Sequence, residues 1–301
     1  MPSISRREAG KLIAAGSAGL LAGAVASRGR LRGAQMIDSV VRGVQIGAQS
    51  YSFRDRPLAA ALEAYRTVGL GECELYEGHV APDEQKTKRE ERRQWRLTTP
   101  LSHFHEIRRQ FDDAGVLLYA YNYSFRKDFT ESEIERGFQM AQALGVKYIT
   151  ASSNISVAPR VDAYARKYQI MVGFHGHDDT ANPDEFSTAE TFARAMQGAS
   201  RYLGVNLDIG HFTAAGGDPV EYIRQHHDRI VTLHVKDRKK NHGPNMPFGQ
   251  GDTPIVAVLR LLREERWKIP ANIEYEYGKP GMDTIAEVKK CYEYCRKALE
   301  S

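Results

Sequence analysis

The chain has 301 residues, 42% hydrophobic and 27% charged, with 3 Cys and a formal net charge of +4. These proportions suit a folded globular protein and exclude collagen-like, low-complexity and disulfide-scaffold classes. The positive charge is uneven: residues 1–36 hold six basic side chains against one acidic, which leaves the rest of the chain near −1, and so nearly neutral a body gives no electrostatic case for nucleic acid.

Residues 1–36 are expected to be an export signal and linker. Ser5-Arg6-Arg7 and Lys11 form a basic head, residues 12–25 are mildly apolar and rich in Ala and Gly, and Ala24-Val25-Ala26 offers small residues for a cut after Ala26. That is the anatomy of an export signal. The paired arginines before a weak apolar stretch resemble a twin-arginine signal, with Ala9 and Gly10 standing where Phe and Leu are usual. The expectation is an exported, periplasmic protein with no stable membrane span after cleavage. Cys73, Cys291 and Cys295 are read as packed free thiols.

Residues 37–301 alternate short β-rich runs with stretches of 3.6-residue periodicity. The runs predict strands over 44–50, 72–77, 116–121, 146–151, 169–175, 203–208, 230–234 and 271–276. Helices are predicted near 57–68, 99–114, 131–144, 158–167, 187–198, 218–227 and 254–265, with a last one over 282–299. Turn and capping residues precede many of them, and Gly69, Gly115 and Gly145 stand where helices end. Eight strand–helix units in one domain predict a (β/α)8 TIM barrel. No Gly-rich fingerprint follows the first strand, which argues against a dinucleotide-binding sheet. The mixed-sign run 82–96 is expected to be a solvated loop or helix extension over the barrel mouth, with Trp95 as a lid contact to substrate.

In such a barrel the C-terminal ends of the strands carry the chemistry. Five predicted ends are rich in ionisable groups: Glu74 to Glu77 on the second, His175-Gly176-His177 on the fifth, Asp208 and His211 on the sixth, His234-Val235-Lys236-Asp237-Arg238 on the seventh, and Glu274-Tyr275-Glu276 on the eighth. Burying them costs free energy unless they are paired or hold a cation. Asp208, His234 and Glu274 therefore read as ligands of one divalent metal ion, and imidazole with carboxylate suits Mn, Zn, Co or Fe(II), with Mg also accommodated. Glu77 is a further candidate to touch substrate. His103, His105, His226 and His227 fall in helical stretches and are expected on the surface.

The segments IGAQSYSFRD, GLGECELYEGH, GVNLDIGH, IVTLHVKDR, FGQGD and IPANIEYE resemble the xylose-isomerase-like barrel superfamily of sugar isomerases and epimerases. In its ketose 3-epimerase branch a carboxylate, an Asp, a His and a Glu from strands five to eight hold the metal. The resemblance carries the last three onto Asp208, His234 and Glu274, with Glu276 in reserve, and puts His175 where the family has Glu. It implies His211 and Arg238 as substrate contacts. The family's two-carboxylate acid–base pair is then incomplete, so His177 is the expected base beside Glu274, with Lys236 stabilising an enolate oxygen.

The expected function is a metal-dependent isomerase or epimerase abstracting a proton next to a carbonyl of a sugar, keto-sugar or polyol. The alternatives are a keto-glycoside lyase or dehydratase of the same fold and a non-catalytic exported sugar-binding protein. The partner implied is a small-molecule carbohydrate. The superfamily often forms dimers and tetramers, so a homo-oligomer is compatible with the resemblance.

Overall fold

The computed structural model describes residues 34–83, 86–279 and 281–301; the export-signal reading lies almost wholly outside them. Eight parallel strands follow one another around the molecule: β1 (Val44–Gln49), β2 (Glu72–Tyr76), β3 (Leu117–Asn122), β4 (Tyr148–Ser152), β5 (Met171–His175), β6 (Leu203–Asp208), β7 (Ile230–Val235) and β8 (Ala271–Ile273). Each pairs with the next, and β8 pairs with β1 through Asn272 opposite Gly47, so the sheet closes. The predicted (β/α)8 barrel is the observed fold.

The helices are α1 (Leu58–Val68), α2 (Arg89–Thr98), α3 (Leu101–Ala114), α4 (Glu131–Leu144), α5 (Ala158–Tyr168), α6 (Ala189–Met196), α7 (Ile209–Ala214), α8 (Pro219–His226), α9 (Ile255–Glu265) and α10 (Thr284–Glu300). Two of them differ from expectation. The run 82–96 is not simply a solvated loop: α2 forms within it, and Arg92 and Arg96 are buried. Helix α7 is too short to show a period, and it starts directly from a strand because the Asp208 carboxylate caps it, accepting from the His211 N–H at 2.7 Å.

Strand side chains alternate between two faces. One face, with Ile46, Leu75, Ile149, Phe174, Leu207 and Leu233, is buried in the shared hydrophobic core. The other face lines a polar lumen. There Asn272 donates to Thr232 Oγ1 at 2.9 Å, Thr150 donates to Glu74 Oε1 at 2.6 Å, and the Gln49 amide reaches the same oxygen at 3.3 Å. Gly47 sits opposite Glu72 in this lumen, and a β-carbon there would overlap Glu72 Oε2 and Asn272 Oδ1. The glycine is required by that close approach. Burial first, and the Glu74 charge second, push the Glu72 carboxyl well above the usual carboxylate range, which favours its neutral form.

Candidate metal centre and active site

The ends of β5 to β8 converge on one buried cluster. His175, Asp208, His234 and Glu274 each offer one ligand atom, and these four atoms lie within 4.8 Å of one another. All four side chains come from adjacent strand ends in a staggered register: Asp208 stands opposite His234, while His175 pairs with Asn206 and His234 with Asn272, one inward-facing step before Asp208 and Glu274. Two imidazoles and two carboxylates are a donor set suited to a divalent first-row ion. His175 Nδ1 is buried with no hydrogen-bond partner. Burial, then the neighbouring His234 and His177 rings, hold the His175 imidazole well below its ordinary pKa, so its lone pairs are available. The residues present therefore fit a metal.

His234 is gripped from both sides. Nδ1 lies 3.1 Å from Glu274 Oε2, and Nε2 lies 2.9 Å from Glu74 Oε2. Burial alone would lower its pKa, but the two flanking carboxylates outweigh it and raise the ring well above its usual value. Glu74 thus fixes the ring orientation from inside the lumen, in the manner of outer-shell carboxylates behind ligating histidines. Glu72 did not stand among the candidates read from sequence, and Glu74 was read only as one of the ionisable strand-end groups, with no role. A signal was present: three of the four site residues have a polar residue two positions earlier, Asn206 before Asp208, Thr232 before His234 and Asn272 before Glu274, whereas His175 has Gly173.

Lys236 lies in the same cluster. Its ammonium is buried, 3.1 Å from Asp208 Oδ2, 2.9 Å from Glu274 Oε2 and 2.6 Å from Glu276 Oε2. Burial opposes its charge, yet Asp208, Glu274 and Glu276 raise its pKa above the ordinary lysine value. Glu276 itself stands outside the four-donor group.

A cavity of about 230 Å³ opens above the cluster, lined among others by Tyr51, His175, His177, His211, Lys236 and Glu274. Ser152 and His177 also line a neighbouring cavity of about 420 Å³ that carries Ser153, Asn154 and Glu185. The two form a hydroxyl- and imidazole-rich groove. His177 leans on Glu185 at 3.1 Å; burial lowers its pKa, and the Glu185 hydrogen bond and charge more than offset that.

The remaining expected contacts are placed as follows. His211 faces the cavity, while its Nδ1 lies 3.0 Å from Asp178 Oδ1. Arg238 stands behind it, donating to Asp178 Oδ1 at 2.6 Å and to the Gly243 carbonyl, and does not line the cavity. Asp178, absent from the sequence candidates, holds the two together. The His211 hydrogen bond, with Arg238, depresses its carboxyl well below the usual range. Glu77 and Trp95, also expected to touch substrate, do not line the cavity above the cluster. Glu77 pairs with Arg92 at 3.3 Å and lines an arginine-rich cavity of about 300 Å³ that shares Arg126 and Asp128 with the groove. Trp95 packs edge-on against His103 and Phe104 of α3.

Barrel and site together define a (β/α)8 protein with a candidate metal centre at the C-terminal mouth. The chain belongs to the xylose isomerase-like TIM barrel family, whose profile matches residues 84–295. It is 33% identical over 98 residues to the rhizopine catabolism protein MocC of Rhizobium meliloti, covering 28% of this chain and 29% of that one. It is 31% identical over 78 residues to inosose dehydratase of Lactiplantibacillus plantarum, covering 26% and 25%. The matched stretches thus span under a third of these relatives. A sugar phosphate isomerase/epimerase from Parabacteroides distasonis shares the fold at 17% identity and a TM-score of 0.63, covering 89% of this chain and 99% of its own.

Proposed function

We propose that the protein is a metal-dependent enzyme of the sugar isomerase/epimerase type, moving a proton from the carbon next to a carbonyl in a sugar, keto-sugar or polyol. The observation that carries this reading is the buried donor group of His175, Asp208, His234 and Glu274 beneath a polar groove. A divalent ion in that group would polarise the carbonyl and a neighbouring hydroxyl. The chain's own groups then have distinct tasks. His177, steadied by Glu185, is placed to take or return the proton, with Glu274 on the same cavity as its counterpart. Lys236 brings positive charge to the oxygen on which charge develops. His211, held by Asp178 and Arg238, orients a hydroxyl.

The test is proton exchange. Metal-loaded protein is incubated in D2O with a panel of ketoses, aldoses and keto-glycosides, and NMR follows the proton beside the carbonyl. Exchange that depends on His177 supports the reading; absence of exchange and turnover across the panel overturns it, and sugar binding without exchange points to a non-catalytic sugar-binding protein.

A dehydratase or lyase reading is favoured by one feature: β5 ends in His175 rather than a carboxylate, so the mouth lacks a symmetric pair of acids for two-faced epimerisation. It shares the first proton abstraction and differs in expelling a leaving group, so its mark is an unsaturated carbonyl product. The same proposal makes the protein an exported, periplasmic one. Arg6→Lys with Arg7→Lys should then retain it in the cytoplasm, as cell fractionation would reveal.

A further inference from the structure

We propose that Lys236 and a divalent ion are antagonists at the barrel mouth: both draw on the carboxylates of Asp208 and Glu274, and Glu276 is the seat to which the ammonium withdraws. The inference rests on the metal reading above.

The geometry assigns these parts. Of the four groups around the ammonium, Asp208 and Glu274 belong to the metal-ligand cluster, while Glu276 and His211 do not. Glu274 Oε2 is contested most closely, being 2.9 Å from Lys236 Nζ and 3.1 Å from His234 Nδ1. Two cations sharing one pair of carboxylates repel each other strongly at such separations, and water screens them poorly where Asp208, Glu274 and Lys236 are buried. The ammonium also cannot be left bare in the interior. Glu276 resolves that conflict. It makes the shortest of the lysine's contacts, and its side chain is 24% exposed against 7% for Glu274. A small swing of the four-carbon stem toward Glu276 frees Asp208 and Glu274 without unpairing the lysine.

A lysine that merely supports the fold would, when removed, lower metal affinity or leave it unchanged; a competitor raises it. The full-length protein is stripped with a chelator, and Mn2+ binding is measured by titration calorimetry for wild type, Lys236→Met, Glu276→Gln and the double variant. Lys236→Met should bind Mn2+ at least about tenfold more tightly than wild type. Its metal-free Tm should fall below wild type, and the rise in Tm on adding Mn2+ should be larger. Glu276→Gln should bind Mn2+ more weakly, because the ammonium has lost its seat, and that loss should vanish in the double variant.

Equal or weaker Mn2+ binding by Lys236→Met overturns the antagonism while leaving the metal reading intact. Should that variant fail to fold without metal, Glu276→Gln decides: unchanged or tighter binding overturns the proposal. Failure of all four proteins to bind any Mn2+ overturns the metal reading and this inference together.

Discussion

Two buried acids, Glu133 and Glu274, show how differently one side chain can be used in one barrel. Glu133 sits at the start of α4 under α2, fully buried, and both of its oxygens are saturated. Arg96 donates at 2.9 Å and Arg93 at 3.0 Å, and the Thr130 backbone N–H at 2.9 Å completes a capping box. Burial raises its pKa, but these partners more than offset that and hold it below the usual range. Glu274, at the end of β8, meets His234 and Lys236 through a single oxygen and faces a cavity. One acid is a fastener whose bonds are all made within the fold. The other is held in place with bonding capacity left over. Saturation, rather than burial or charge, separates the structural cluster from the one that can act on a ligand.

Variants at the mouth test that contrast most severely. Wild type should hold about one divalent ion per chain, and Asp208→Ala and His234→Ala should each lose it, with turnover reduced on the order of a hundredfold or more. Undiminished metal by elemental analysis in both variants would erase the distinction. Next comes the fastener. Glu133→Gln leaves two buried or half-buried guanidiniums facing a neutral amide, a loss of about 3 kcal/mol. The expected drop in Tm is roughly 6–12 °C, with metal content unchanged; calorimetry and elemental analysis on the same sample read both. His175→Gln is finer. It should weaken metal binding while sparing the fold, whereas His177→Gln should keep the metal and lose turnover; full metal and full activity in the His175 variant would remove it from the site.

The smallest effect lies at Glu72. Its folded pKa is raised. The stability it allows is therefore fully present below its unfolded value, near 4.3, and declines as pH rises toward the folded value. Glu72→Gln has no such decline, so its Tm relative to wild type should climb between pH 4 and pH 8. A flat difference would mean that the lumen does not hold a neutral acid.

The layout of the barrel was legible from periodicity and punctuation. The start and end predicted for α4 are those observed, and β6 spans the predicted residues. Asp208, His234 and Glu274 could be picked out because each ends a strand in a polar residue, and closure of the sheet brings them together. The lumen was harder. Glu72-Cys73-Glu74 reads as the body of a strand, and only the closed barrel turns both acids inward onto Asn272 and His234. Arg93 and Arg96 of α2 looked solvated because their partner Glu133 lies about forty residues further along the chain. Contacts at that separation leave no mark in local composition.

The packed lumen beneath the site has a kinetic corollary. Glu72, Asn206, Thr232 and Asn272 fill the barrel below the cluster and are wholly shut off from solvent, so no channel leads out through the floor. Among the described residues, the cavity over the cluster opens at the mouth. On the proposed function, reactant and product would share that opening. Accumulated product should therefore inhibit competitively, by standing in the doorway.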